Sequence, residues 1–113
     1  MRKQMMENAA LELATQVRAV EDSIEAALAE LAELQARMVH ARSVTGASFV
    51  ASHAAFEQLA TATSGLISAR GGIGNCHAAL VETRRTIPGL RTVSFGDGDE
   101  CPKTAVADLR VVA

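Results

Sequence analysis

The residues of this chain whose types could carry chemistry are three histidines, two cysteines and two small clusters. They are His40, His53, His77, Cys76, Cys101, the run Arg70-Gly71-Gly72-Ile73-Gly74-Asn75, and the acids Asp97, Asp99 and Glu100. His40 and His53 flank a turn centred near Gly46 and would approach each other in an antiparallel hairpin. A metal site needs three or four ligands held in geometry. No Cys or carboxylate is read near this pair, so both are assigned to the surface or an interface. Cys76 and His77 are adjacent, and on a helix neighbouring side chains diverge by about 100°, too far apart for a nucleophile and its base. Cys76 is instead read as a core thiol. Cys76 and Cys101 form neither a CxxC pair nor a disulfide framework, which fits ordinary thiols of a reducing compartment.

The glycine run resembles a phosphate-binding loop only superficially. It follows a helix pattern instead of a strand and lacks the Lys-Ser/Thr ending. Asp97, Asp99 and Glu100 are spaced by glycine as in some calcium loops, but the full twelve-residue ligand pattern is missing. No catalytic, cofactor-binding or metal-ligating residue is therefore expected, no cofactor is expected, and the chain is not read as an enzyme. Arg70, His77 and Arg84 recur every seventh residue, with Thr63 one heptad earlier. They are placed beside the apolar stripe of the second helix, where they could pair with Glu21, Glu25 or Glu33 and set the register of two helices.

The elements that would position these residues are two helices. From residue 6 to residue 41, Met6, Ala10, Leu13, Val17, Val20, Ile24, Ala27, Leu31, Leu34, Met38 and Ala41 are spaced alternately four and three. That is a heptad seam, with Ala10, Val17, Ile24, Leu31 and Met38 at a and Leu13, Val20, Ala27, Leu34 and Ala41 at d. The interior of this stretch has no Gly or Pro, and at ~1.5 Å per residue it forms a helix on the order of 50 Å long. Gly46 can end it, and Thr45 or Ser48 can cap the next helix. So short a connection makes the helices antiparallel. In the second helix Leu59, Leu66, Ile73, Leu80 and Ile87 fall seven apart, with the small Ala62, Ala69, Cys76 and Thr83 between them. Phe49 and Phe56 are expected to close the packing near the turn.

The predicted bounds are a helical hairpin over 1–88, with helices at about 5–43 and 48–87, a turn at 44–47 and a C-terminal arm over 89–113. A break at 71–75 is the alternative to a continuous second helix, because interior glycines each cost about 1 kcal/mol relative to Ala. Continuity is favoured, since the Leu/Ile heptad keeps its phase from Leu66 through Ile73 to Leu80. Pro88-Gly89 stops the helix, and residues 90–95 and 106–112 have strand-forming composition.

Composition bounds the rest. The chain has 113 residues, 49% hydrophobic and 21% charged, with net charge −2 and no Trp or Tyr. It offers neither the basic footprint nor the stacking platforms of a nucleic-acid binder. Residues 58–81 carry Arg70 as their one formal charge, but their Ser, Thr, Asn, His and Gly content is too polar for a membrane span. The N-terminus shows no secretory signal. The expected location is the cytoplasm, or a particle assembled there. Residues 1–42 hold 5 basic and 7 acidic side chains, whereas residues 43–88 hold 3 and 2. So charge-poor a second helix is expected to be covered on more than one side.

The two-helix layout resembles that of small secreted helical hairpins of the WXG type. The chain has no Trp, however, and its turn reads Thr45-Gly46-Ala47, so the resemblance stops at layout. The sequence therefore predicts an all-α fold, a long coiled-coil-like antiparallel hairpin with a short β-prone or extended C-terminal arm. Its expected role is a structural or assembly subunit, in a phage particle, secretion apparatus or filament, that forms homo-oligomers. The self-association seam is read as Leu13, Val17, Val20, Ile24, Leu31, Leu34, Met38, Leu59, Leu66, Ile73, Leu80 and Ile87. The alternatives are a cytoplasmic adaptor or chaperone receiving a client helix, and a metal or redox module built on the histidines and cysteines.

Overall fold

The computed structural model describes residues 1–90. The expected strand-forming arm, Cys101 and the Asp97, Asp99, Glu100 cluster lie outside the described residues. The chain is all-α, an antiparallel hairpin of two long helices, α1 (Arg2–Thr45) and α2 (Phe49–Arg85). Among the described residues there is no strand.

α1 is longer at both ends than the sequence suggests. At its start the Met5 N–H donates to the Met1 carbonyl at 3.0 Å and the Gln4 amide to Asn8 Oδ1 at 3.0 Å. These local bonds extend the helix past the first apolar position of the heptad. At its end the Gly46 N–H donates to the Arg42 carbonyl at 3.0 Å, with Gly46 at φ +71°. This is the left-handed C-terminal cap for which glycine carries no steric penalty. Ser48 then opens α2: its Oγ accepts from the Ala51 N–H at 3.0 Å, satisfying one of the orphan donors of the first turn.

α2 runs unbroken through Gly65, Gly71, Gly72 and Gly74. It ends two residues before the last expected apolar position, because Pro88 drives Ile87 out of the helical region. The chain then tightens, with Thr86 N–H to Thr83 O at 3.0 Å and Ile87 N–H to Arg84 O at 3.1 Å. Gly89, at φ +91°, turns the backbone so that Leu90 is buried.

Contacts divide the chain into two units, Met1–Ala19 with Gly74 onward, and Val20–Ile73. In the first, Ala14 and Val81 form a small core against which Val17 and Leu80 pack. Ala10 and Leu90 are buried there as well. In the second, Leu59 is the buried apolar residue, and Ile24, Leu28, Leu31, Met38, Phe56 and Leu66 are half-buried along the two helices. No described side chain is fully buried.

Two glycine substitutions should move stability in opposite directions. Nothing stands within 4 Å of a Cβ added at Gly71, so Gly71→Ala should raise the thermal midpoint, by about 0.5–1 kcal/mol of helix propensity. Gly46→Ala places a side chain at positive φ and should lower it by about 1 kcal/mol. Thermal melts followed by circular dichroism check both signs.

Candidate functional site

The surface through which the helices meet is rotated from the one the heptad alone indicates. On α1 the a positions face inward: Ala10 is buried, and Val17, Ile24, Leu31 and Met38 are half-buried. The flank turned toward α2 is the row Ala14, Glu21, Leu28 and Arg42, buried or half-buried. The d row is covered unevenly. Val20 and Ala27 are half-buried, while Leu13 and Leu34 keep 44% and 47% of their surface and Ala41 is exposed.

On α2 the expected row is present: Leu59 is buried, and Leu66, Ile73, Leu80 and Ile87 are half-buried. Its companion row is not the small one. Ala62, Ala69, Cys76 and Thr83 are all exposed, and the second inward row is Phe56, Thr63, His77 and Arg84. Cys76 is therefore a surface thiol, a correction to its reading as a core residue. The reason is the step from the leucine row. Four residues onward leads to Thr63, His77 and Arg84, three residues onward to the small row, and the inward face of α2 is centred on the former. Arg84 is buried there, and the long aliphatic stem of its side chain contributes apolar surface. Val81 adds a buried branched side chain at the same level.

Arg70, in the same register as His77, lies at an exposed point of this row and its Nε donates to Glu25 Oε1 across the helix pair. Of the three acids considered in the sequence, Glu25 is the one joined to it. This hydrogen bond first, and the carboxylate charge second, push the guanidinium pKa up from its usual value against a smaller opposing desolvation. The direction matters for pH: a raised cation pKa stabilises below the unfolded value and is lost only above it. For arginine that loss lies beyond the neutral range. Both side chains are more than half exposed, so the pair specifies alignment more than it adds stability.

The other candidates do not assemble. His40 and His53 are both exposed. His53 Nε2 pairs with Glu57 Oε1 at 3.0 Å, so a carboxylate does stand beside it, contrary to the reading that none is near. Among the described residues no three His, Cys, Asp or Glu side chains come together as a metal site. The glycine run is helical backbone rather than a loop. No helix of the described residues is long and apolar enough to cross a membrane.

Among the described residues each unit has an open concavity. A groove of about 300 Å³ is lined by Met6, Ala10, Leu13, Leu80, Ile87 and Leu90. A hollow of about 230 Å³ beneath the turn is lined by Met38, Ala41, Ala47, Ala55 and Phe56. The turn itself is the feature that hydrophobic periodicity missed. Phe56 is half-buried, but Phe49 is 74% exposed, with Val44 at 70%, Val50 at 87% and Val39 at 52%. Phe49 does not close the packing. Its ring sits under the Arg42 guanidinium, 5.5 Å from ring centroid to the cation carbon.

No family model, curated protein sequence or solved structure matches this chain.

Two measurements check this geometry. The Cys76 thiol should be alkylated in the native protein at close to the rate of an unfolded peptide thiol, with peptide mapping separating it from Cys101. The destabilisation caused by Arg70→Gln should shrink when salt is raised from millimolar to molar, because an exposed pair is screened.

Proposed function

We propose that this chain is a non-enzymatic structural or assembly subunit that associates with copies of itself through helix faces. The observation that carries this reading is the uncovered flank of α1, where Leu13 and Leu34 remain nearly half exposed in a heptad row that one partner helix does not cover. A second surface supports it. Ala62, Gly65, Ala69, Gly72 and Cys76, spaced three and four along α2, are all exposed, and nothing stands within 4 Å of a Cβ added at either glycine. A large-residue row and a small-residue row, both open, are what two neighbouring helices need for close approach. The simplest product is a dimeric four-helix bundle, and repetition of the contact would give a larger particle, secretion assembly or filament. The expected location follows from that role: the cytoplasm, or a particle built in it.

The open small-residue face of α2 also favours a second reading, an adaptor or chaperone that takes a client helix there. Solubilisation of an aggregating partner on co-expression would support it over self-assembly.

The decisive measurement is mass. At tens of micromolar, sedimentation equilibrium should find an oligomer, and Leu34→Asp should reduce it to a monomer that keeps its helicity, since a charge in a dry seam is costly. Leu31→Asp is less informative, because Leu31 is half-buried within the single chain and its loss also weakens the hairpin. A fully helical monomer of the unmodified chain would refute the proposal.

A further inference from the structure

We infer that the groove beside the end of α2 is filled by the chain's own continuation, with Val93 and Phe95 as the side chains that enter it. The groove lies within one unit, is open to solvent and measures about 300 Å³. Its walls are Met6, Ala10 and Leu13 of α1 together with Leu80, Ile87 and Leu90. Leu13 keeps 44% of its surface open.

The point at which the described chain ends selects the occupant. The Leu90 N–H donates to the Ile87 carbonyl at 3.1 Å, Gly89 turns the backbone at φ +91°, and Leu90 is buried as part of the groove wall. Residue 91 therefore starts at the groove itself. The five residues from Leu90 to Phe95 span at most about 17 Å, whereas the α1 wall from Met6 to Leu13 is about 10 Å long, so Phe95 reaches all of it. So short a tether holds the segment at an effective concentration on the order of millimolar, above that of a second copy at tens of micromolar. The later apolar run over residues 105–113 hangs on a longer tether and competes less well, since effective concentration falls with tether length. Composition sets the far limit of the insert. Phe95 is followed directly by Gly96-Asp97-Gly98-Asp99-Glu100, whose three acids belong in water. A Phe95 ring against Leu13 removes apolar surface of both from water. Leu34 is outside this groove, so lateral association through it stands or falls separately.

Fluorescence of the full chain tests this. The chain has no Trp or Tyr, so Phe95→Trp carries its one indole. Acrylamide should quench that indole about threefold more slowly in the native chain than in denaturant. The protection should persist on dilution from tens of micromolar to about one micromolar, because a tethered contact does not depend on concentration. It should persist in a Leu34→Asp background and vanish in a Leu13→Asp background, with circular dichroism verifying helicity. Met6→Asp is the second groove variant, near the N-terminus of α1 where an acid suits the helix. An indole quenched as fast as in denaturant overturns the inference, as does protection that survives both groove variants. Protection lost on dilution or with Leu34→Asp also overturns it and assigns the groove to the segment of a second copy. Protection of Leu109→Trp without protection of Phe95→Trp overturns it in favour of the later run.

Discussion

The structure depends on a contact that each helix can make on one side only. In a two-helix pair no residue is enclosed by neighbours in every direction, and the consequence is visible among the described residues: Ala14 packs against Val81 in one unit, Leu59 is the buried point of the other, and no described side chain is fully sealed from solvent. Burial at roughly 25 cal/mol per Å² of apolar surface must offset the ordering of two long helices. A narrow seam offers little surplus. Local interactions therefore carry more of the specification than in a globular core: the left-handed cap at Gly46, the Ser48 cap and the cross-helix bond from Arg70 to Glu25.

The same constraint explains which parts of the fold were legible in the sequence. The two helices and the turn were, because a heptad of aliphatic residues, a glycine and a serine each have one strongly favoured local outcome. The a row of α1 and the leucine row of α2 were legible for the same reason. The choice of companion row was not. Residues three and four positions from a leucine are equally close to its face, and hydrophobicity favoured Ala62, Ala69 and Cys76 over Thr63, His77 and Arg84. The aliphatic stem of Arg84, and the Glu25 carboxylate that α1 presents to Arg70 in the same row, favour the polar row. A signal was present in the coincidence of Thr63, Arg70, His77 and Arg84 at one heptad position. A row that specifies alignment has to lie within the seam rather than beside it. The position of Phe49 was illegible because aromatic residues next to a turn read as packing by default, whereas here the cap at Ser48 orients the first turn of α2 with that ring outward.

The uncovered surfaces differ in chemistry as well as place. The Leu13 and Leu34 flank and the small-residue face of α2 are lateral and aliphatic, suited to another helix. The turn exposes Val44, Phe49 and Val50, with the Arg42 guanidinium over the Phe49 ring. Because these surfaces use separate residues, lateral association would leave the turn uncovered, and substitutions at one need not disturb the other.

A seam with no sealed residue also governs how such a chain diverges over time. Leu, Ile, Val and Met are nearly interchangeable where a side chain is half in water, since neither a cavity nor an overpacked shape is enforced there. Selection on this hairpin would act on the spacing of aliphatic positions, the capping pair at the turn and the polar alignment row, and weakly on residue identity elsewhere. Kinship among such chains would therefore persist as a rhythm of residue classes long after letter-by-letter identity had faded.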